Sequence, residues 1–267
     1  MAVGELLDAS IGVMKARPRA VLGITAVFVV PTQLVGAFVQ RDLLGATSFT
    51  DIINDPSLAG GSTAGQTSTG TVVVLIAALL PSMVLPFVAG ALGRLVAAWR
   101  VGGDMTAGAA LRAAGRKWWV LLIAWFLTHV AEGFAALAFL FPAVMLMALW
   151  QVAAPAIVVE DLGPIAGLRR SARLAGSRFW QVVLAVLAAG FVHYVLNLML
   201  PLLPQLLGQF LGPDTGWIPL AIGNSLTSIV TTAFLAAFAV VLYLDLRVRS
   251  EGLDLQVEAD RCFDPAP

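Results

Sequence analysis

Long apolar runs alternate with short polar segments along the whole chain, and six of the runs are long enough to cross a membrane. A spanning helix needs about 20 mainly apolar residues, because the hydrocarbon core is ~30 Å thick and each residue rises ~1.5 Å. The runs that meet this length are 20–39, 71–98, 118–137, 139–159, 179–200 and 218–244. The pattern predicts an all-α integral membrane protein with six transmembrane helices in a single polytopic domain, 1–267.

Three of the apolar runs follow a short basic segment with helical amphipathicity. The first covers 3–17, the second is the alanine-rich segment 106–117, and the third leads into the span that starts at 179. In the third, Ile165, Leu168, Ala172 and Ala175 recur at spacings of three and four, with arginines on the other side. Helices of this kind lie in the interface, with their basic residues near anionic headgroups.

The recurrence of these basic segments is interpreted as a threefold repeat. The segments 107–125 and 166–186 share small residues, paired bases and an aromatic start to the span. We predict three hairpins of transmembrane helices, each preceded by a basic amphipathic interfacial helix. The alternative is that inside loops are basic and spans apolar in any membrane protein, so that no repeat exists.

The composition agrees with a lipid environment. Hydrophobic residues make up 59% of the chain and charged residues 12%, whereas soluble domains have about 45–50% and about 25%. The formal net charge of zero gives no support for a nucleic-acid partner. The only cysteine, Cys262, excludes an intramolecular disulfide.

The basic residues predict the orientation of the chain. With the N-terminus in the cytoplasm, the inner segments are 1–19, 94–117, 160–178 and 245–267, and they hold 15 of the 16 lysines and arginines. This is the positive-inside pattern. It predicts a cell (cytoplasmic) membrane protein with both termini inside, an external loop at 41–70 and a cytoplasmic tail at 245–267.

Four polar residues fall inside predicted spans and form a candidate intramembrane centre. His129 and Glu132 share a face of the third span, and His193 and Asn197 share a face of the fifth. Ionisable residues at membrane depth are costly, so each is a functional hypothesis. Three interpretations remain open, which are interhelical hydrogen bonding, a transport or binding pocket, and catalysis.

Metal and cofactor chemistry has no complete motif in the chain. Histidine and glutamate are ligand types for zinc, but the H-x-x-E spacing of His129 and Glu132 is not the H-E-x-x-H signature. No phosphate loop, G-x-S-x-G or dinucleotide fingerprint is present. We therefore predict no metal, no cofactor and no enzymatic activity.

A basic cluster at Arg169, Arg170 and Arg173 precedes the fifth span. These arginines could contact anionic lipid or phosphate. Alternatively, the charges at the inner face pair locally or across units, since Glu160 and Asp161 precede these arginines and Asp245 accompanies Arg247, Arg249 and Glu251 near the end of the chain. Exposed pairs of that kind contribute under about 1 kcal/mol.

The run WQVAAPAIVVEDLGPIAGLRRSARLAGSRFW at 150–180 resembles the membrane domain fused to some bacterial glycerophosphodiester phosphodiesterases and also found in stand-alone membrane proteins. The residues that carry the resemblance are Pro155, Glu160, Gly163, Arg170, Ser171, Leu174 and Trp180. The ends of the chain, at 4–10 and 243–255, are similar to the ends of such proteins. The resemblance implies a helical membrane module without the catalytic barrel, so no catalytic residue is carried over.

The function predicted from the sequence is non-enzymatic. We expect a multi-pass membrane protein that organises or assists partners or lipids at the inner membrane face. Its expected partners are the lipid bilayer, including anionic lipids, and a membrane protein. The alternatives are a small transporter or channel that uses His129, Glu132, His193 and Asn197, and, more remotely, an intramembrane hydrolase.

Overall fold

The fold is helical throughout the residues that a computed structural model of the protein describes, which are 2–44, 68–211 and 215–252. These ranges contain eleven α-helices and no strand, which confirms the all-α prediction. The helices are α1 Val3–Ala16, α2 Pro18–Leu44, α3 Ser68–Arg100, α4 Ala107–Arg116, α5 Trp118–Ala138, α6 Leu140–Trp150, α7 Ala153–Val159, α8 Pro164–Gly176, α9 Phe179–Met199, α10 Leu202–Leu211 and α11 Trp217–Glu251.

Six helical stretches in the described residues are long and apolar enough to cross a membrane. They are Pro18–Gly36, Leu79–Arg100, Trp118–Ala138, Leu140–Val159, Phe179–Gly208 and Ile218–Glu251. Each overlaps one of the six predicted spans. The chain is therefore a multi-pass membrane protein by the length and composition of its helices.

The three predicted basic segments form the separate short helices α1, α4 and α8. Only Arg17 lies between α1 and α2, and only Lys117 lies between α4 and α5. Local capping explains two of the starts. The Thr106 side chain accepts a hydrogen bond from the Ala109 amide at 3.2 Å, and Pro164 occupies the first turn of α8, where no amide donor is required.

The buried face of α8 is rotated relative to the apolar face that the sequence predicts. Ile165 is 56% exposed, whereas Gly167 and Ser171 are buried together with Leu168. The hydrophobic pattern does not identify Gly167 and Ser171, because small residues become buried through close helix contact rather than through hydrophobicity.

The fourth predicted span, 139–159, corresponds to the apolar stretch Leu140–Val159, but a turn that the sequence did not predict divides it into α6 and α7. The chain turns at 151–152 between α6 and α7. Pro155 lies in the first turn of α7. Proline has no amide donor, and its ring clashes with the carbonyl four residues earlier, which here belongs to Gln151. A break at this point removes the clash.

The fifth predicted span, 179–200, is followed by a helix that the sequence did not predict. α9 ends at Met199, and α10 starts after Pro201, whose carbonyl accepts a hydrogen bond from the Gln205 amide at 2.9 Å. Proline at 201 ends the first helix for lack of a donor and begins the next one.

Two predicted segments lie mostly outside the described residues. α2 continues to Leu44 and α3 begins at Ser68, so the ends of the predicted external loop 41–70 are helical. The rest of that loop and the predicted tail beyond Gly252 lie outside the described ranges, as does Cys262.

The chain divides into two compact units. Unit 1 consists of residues 1–24, 85–192 and 233–267, and unit 2 of residues 25–84 and 193–232. The core of unit 1 contains fully buried side chains of α3, α5, α7 and α11. Among them are Leu92, Leu121, Ile157, Phe238 and Leu242, each at most 2% exposed.

Small residues allow helices of unit 1 to approach closely. A Cβ atom at Gly90 of α3 would lie 2.7 Å from Cγ2 of Val158, and one at Gly93 would lie 3.0 Å from Cβ of Pro155. Alanines of α11 at 233, 236, 237 and 239 are also buried. Without a hydrophobic force between helices in lipid, such close packing is what holds them together.

Unit 2 contains a similar contact between α10 and the start of α11. A Cβ atom at Gly223 would lie 2.2 Å from Cβ of Pro204, and one at Gly208 would lie 2.8 Å from Cγ of Leu220. The unpredicted helix α10 is therefore packed against its neighbour rather than extended into a loop.

Candidate functional site

A tight turn between α7 and α8 in unit 1 positions a group of interconnected charged and polar residues. Asp161 has a φ of 56°, a left-handed conformation that aspartate tolerates better than most residues. The Leu162 amide donates to the Ile157 carbonyl at 3.0 Å, which closes the turn. α8 is thereby directed back against α7, with Glu160 at the bend.

Two further contacts hold α8 in place. The hydroxyl of Ser171 donates to the carbonyl of Leu149 at 2.7 Å, which ties α8 to α6. A Cβ atom at Gly167 would lie 2.2 Å from Cγ1 of Ile157, so α8 lies directly on α7 at that point. These contacts fix which side of α8 faces the protein.

Five side chains meet on this inward side, and we call them the arginine–carboxylate network. The network comprises Glu160, Arg170, Tyr243, Arg247 and Glu251. The last three lie four residues apart on α11, and so share one face of that helix. Glu160 follows α7 and Arg170 belongs to α8, so the network joins three helices of unit 1.

Arg170 is at the centre of the network. Its Nε atom donates to both oxygens of Glu160, at 2.8 and 3.1 Å. Its terminal nitrogens donate to both oxygens of Glu251, one of them at 2.8 Å. All three guanidinium nitrogens are therefore engaged, in the forked geometry that matches arginine to carboxylates.

Tyr243 and Arg247 complete the network from α11. The hydroxyl of Tyr243 donates to Glu160 at 2.7 Å and accepts from Arg247 at 3.3 Å. Arg247 also donates to Glu251 at 3.1 Å. The two arginines and two glutamates of the network balance in formal charge.

The network is more buried than a typical surface ion pair, so loss of one partner would leave an opposite charge poorly solvated. Only 16% of the Arg170 side chain and 20% of the Glu160 side chain are exposed. The hydrogen bonds that Arg170 donates to Glu251 raise its pKa most, and those to Glu160 raise it further. Burial acts in the opposite direction and lowers the pKa, but its effect is smaller than that of the hydrogen bonds to Glu251. Arg170 thus remains a fixed positive charge between two carboxylates.

A second, more exposed set of contacts supports the turn at Asp161. Lys117 forms an ion pair with the Asp161 carboxylate at 2.7 Å and donates to its carbonyl at 3.2 Å. Arg94 donates to the Val159 carbonyl at 3.1 Å. The hydrogen bond from Lys117, followed by its charge, lowers the pKa of Asp161. Lys117, which lies between α4 and α5, therefore anchors the turn that precedes α8.

The three arginines predicted to contact anions have different environments. Arg170 is held in the network, whereas Arg169 and Arg173 are exposed. The latter two lie four residues apart and therefore share a face of α8. Across the parts of the chain that the structure describes, neither has an ion pair with a carboxylate.

Exposed aromatic side chains follow the basic helices. Trp118 and Trp119 at the start of α5 are stacked, with ring centroids 4.1 Å apart. Trp180 at the start of α9 is 60% exposed and packs edge-on against Phe179, at 5.4 Å between centroids. Tryptophan at such positions is typical of the membrane–water interface.

The predicted intramembrane centre is divided between the two units. His129 and Glu132 lie in unit 1, and His193 and Asn197 lie in unit 2. Nδ1 of His129 lies 3.0 Å from the Trp125 carbonyl of the preceding turn, and Glu132 is half-buried on the same helix. In the described ranges, no group of three or more His, Cys, Asp and Glu side chains is placed to hold a metal ion.

In unit 2 the polar residues connect helices. The Asn197 amide donates to the His193 carbonyl at 2.9 Å and lies 3.2 Å from Nε2 of the imidazole. That imidazole also interacts with the Thr231 backbone of α11. Gln33 of α2 donates to Ser228 of α11 at 2.6 Å.

Several residues of these sites were missed by the interpretation of the sequence. Gln33 is an isolated amide in an apolar run, which could have marked it as a polar contact. Tyr243 was missed as well, although it recurs with Arg247 and Glu251 every four residues, a spacing that could have indicated a shared face.

Comparison with known proteins assigns no activity to these residues. Residues 129–246 match the model of a family described as a domain of unknown function (DUF7847). The matched segment contains Glu160, Arg170 and Tyr243 of the network. No curated protein and no solved structure matches the chain.

Proposed function

We propose that the protein is a non-enzymatic membrane scaffold, whose basic amphipathic helices bind anionic lipids at the cytoplasmic face of the cell membrane. In this proposal six spans form three hairpins, each preceded by one basic helix, and both termini are cytoplasmic. The bound lipid surface organises or assists a partner membrane protein.

The arrangement of arginines on α8 is the observation that carries this proposal. The network anchors Arg170 on the inward side, and Arg169 and Arg173 are left exposed on the helix. An amphipathic helix fixed in this way holds its exposed arginines at a constant depth relative to the membrane surface. Each basic residue near an anionic membrane surface contributes about 1 kcal/mol of attraction.

The positions of the other basic residues support the same orientation. With α1, α4 and α8 on the cytoplasmic side, 15 of the 16 lysines and arginines also fall there. Tryptophans 118, 119 and 180 then lie at the interface at which α5 and α9 begin.

The resemblance to the membrane domain of glycerophosphodiester phosphodiesterases is compatible with a scaffold. Two residues that carry it, Glu160 and Arg170, are paired in the network, and a third, Pro155, packs against Gly93. Such roles build a membrane module, and they require no catalytic group. We propose membership of that group as a stand-alone module.

Removing the two exposed arginines tests the proposal. The variant Arg169→Gln/Arg173→Gln should lose part of the preference for anionic over zwitterionic lipid, by up to about fivefold for each charge. The measurement is electron spin resonance of spin-labelled phosphatidylglycerol and phosphatidylcholine in the reconstituted protein, at low and high salt.

The matched control for this experiment keeps the charge. Arg169→Lys/Arg173→Lys should retain the preference, because headgroup attraction at the surface depends on charge rather than on forked hydrogen bonding. A phosphatidylglycerol preference that is unchanged in the glutamine variant, or that does not decrease with salt, would contradict the proposal.

A transporter is the second candidate, and the polar contacts of unit 2 are the observation that favours it. Gln33, Ser228, His193 and Thr231 connect α2, α9 and α11 within one unit. Polar residues inside a membrane often line a pathway. They also join helices, with hydrogen bonds of about 0.6–1.7 kcal/mol.

Substitution at Gln33 separates these two roles. As a helix contact, Gln33→Leu should lower the free energy of unfolding by about 1 kcal/mol, and a double-mutant cycle with Ser228→Ala should show coupling near 0.6 kcal/mol. Proton flux into proteoliposomes, followed with an enclosed pH dye, should match empty vesicles for the wild type and for His193→Gln. A wild-type flux that His193→Gln abolishes would favour the transporter.

A further inference from the structure

One side of α5 carries two ionisable side chains that the arginine–carboxylate network does not use. Neighbouring members of the set are three or four residues apart along the helix, so they share one side of it. We call this side the His–Glu face, and it comprises Trp125, His129, Glu132, Gly133 and Ala136. It belongs to unit 1, and the helix that carries it is one of the six stretches able to cross a membrane.

Glu132 lies deep within this span. It is about 21 Å along α5 from Trp118 at ~1.5 Å per residue, and the hydrocarbon core of a membrane is ~30 Å thick. When α5 crosses the membrane, the carboxyl group is therefore at a level where neither water nor lipid headgroups solvate it. An ionisable side chain at such a depth is costly unless a polar group pairs with it.

The two ionisable side chains do not pair with one another in one chain. Nδ1 of His129 lies 3.0 Å from the Trp125 carbonyl, and the imidazole packs on the Trp125 ring with centroids 4.8 Å apart. The imidazole is thus held by the preceding turn of α5. In the parts of the chain that the structure describes, neither Nε2 of His129 nor the Glu132 carboxyl group has a hydrogen bond or an ion pair.

The surroundings of the His–Glu face are also uncovered within one chain. No residue from 125 to 147, at the end of α5 and the start of α6, is buried. A Cβ atom at Gly133 would meet nothing within 4 Å. Lipid can cover the apolar residues here, such as Leu137, which is 84% exposed. Lipid has no group at this depth that could pair with Glu132.

The His–Glu face is complementary to itself. Its imidazole and its carboxyl group are about 4.5 Å apart along the helix axis. Two copies with the same orientation in a membrane are related by a two-fold axis, so their α5 helices run parallel and Glu132 of each copy meets His129 of the other. A carbonyl only accepts, so Nδ1 carries a proton and Nε2 is the nitrogen that can share a proton with a carboxyl group.

We propose that the His–Glu face is the interface of a homodimer, in which Glu132 of each copy forms a hydrogen bond with Nε2 of His129 in the other. Gly133 and Ala136 are small and let the two helices approach closely, as is usual at helix contacts in lipid. This inference goes beyond the anionic-lipid scaffold. It can fail independently of the scaffold, because the exposed arginines of that proposal lie on α8.

Fluorescence energy transfer between copies in liposomes tests the proposal. The full chain is labelled with donor or acceptor at Cys262, its only cysteine, and the dimer fraction is measured as the protein is diluted in lipid. One interhelical hydrogen bond in a membrane changes an association constant by about fivefold. Because the dimer contains two of them, Glu132→Leu and His129→Leu should each weaken it by about 25-fold.

A mixture of these two variants provides the most specific readout. In a heterodimer of one Glu132→Leu copy and one His129→Leu copy, each copy contributes the residue that the other lacks, so one hydrogen bond is restored. The heterodimer should associate about fivefold more tightly than the homodimer of either variant. A misfolded variant could not regain association in this way, so the test remains valid if one substitution perturbs the fold.

A matched pair of glycine variants tests the close approach of the helices. Gly133→Leu should weaken the dimer about tenfold, since it adds bulk at the interface. Gly23→Leu places the same side chain at an exposed glycine of α2 and should leave the dimer within about twofold. In one chain, a Cβ atom at either position meets nothing within 4 Å, so the two variants are equivalent for the monomer.

Three results would overturn the proposal. The first is a wild-type chain that stays monomeric at every dilution, which would mean that lipid or a different protein covers this face. The others are energy transfer that is unchanged in Glu132→Leu, and a mixture of the two leucine variants that associates no better than each alone. The double variant Arg169→Gln/Arg173→Gln should leave the dimer unchanged, so the outcome is distinguishable from that of the scaffold test.

Discussion

Replacing Arg170 with alanine should lower the free energy of unfolding by about 3 kcal/mol, the lower end of the range for breaking a buried ion pair. The variant removes the arginine that Glu160 and Glu251 share, and Arg247 is the arginine of the network that then remains beside both carboxylates. The lower end applies because the Arg170 side chain is 16% and that of Glu251 28% exposed, so water partly solvates both. Reversible unfolding in mixed detergent micelles measures the change.

The neighbouring arginine is the control for this experiment. Arg169→Ala removes the same side chain one residue earlier, at an exposed position, and should change the free energy of unfolding by no more than about 0.5 kcal/mol. A double-mutant cycle of Arg170→Met with Glu251→Gln should give a coupling of about 1–3 kcal/mol. An Arg170→Ala effect under about 1 kcal/mol would mean that the network is no stronger than an exposed pair.

The same variant should also release α8. Since the network, the Ser171 hydroxyl and the Gly167 contact all help to hold this helix, loss of the network weakens its attachment. Hydrogen–deuterium exchange should therefore increase in 164–176 and stay unchanged in α5. Release of α8 would also free Arg169 and Arg173 from their constant depth relative to the membrane surface. The stability of the network is therefore linked to the proposed lipid binding.

The membrane character and the number of apolar spans could be predicted because they depend on local composition. Runs of about 20 apolar residues need no knowledge of neighbours to be recognised as spans. The three basic helices were likewise visible, because charge and periodicity are local properties of α1, α4 and α8. Breaks at 151–152 and at Pro201 were missed because a proline can kink, begin or end a helix, and the surrounding packing selects among these outcomes.

The partners of the polar residues could not be predicted, since they depend on which helix faces meet. Arg169, Arg170 and Arg173 are alike in sequence, but only Arg170 meets Glu160 and Glu251. His193 was grouped with His129 because both lie inside predicted spans, and the structure places His193 beside Thr231 of its own unit. Glycine contacts decide which faces meet, and no pattern of hydrophobicity reveals them.

Alanine at Gly167 should destabilise the protein by about 1–3 kcal/mol, the usual cost of inserting a carbon atom into a packed contact. Its Cβ would lie 2.2 Å from Cγ1 and 2.8 Å from Cδ1 of Ile157, which is fully buried and has little room to move. The added atom therefore has to push α8 away from α7. Because Glu160 and Arg170 lie on either side of this contact, the network is strained as well.

A second glycine of the same helix separates this effect from helix propensity. At Gly176 a Cβ atom would meet nothing within 4 Å, so Gly176→Ala should be neutral or stabilising by up to about 1 kcal/mol. Shortening the opposing side chain should relieve the clash. Gly167→Ala/Ile157→Ala is expected to lose less free energy of unfolding than the sum of the two single variants. Equal effects of alanine at 167 and 176, or strict additivity with Ile157→Ala, would show that α8 does not rest on α7 at this point.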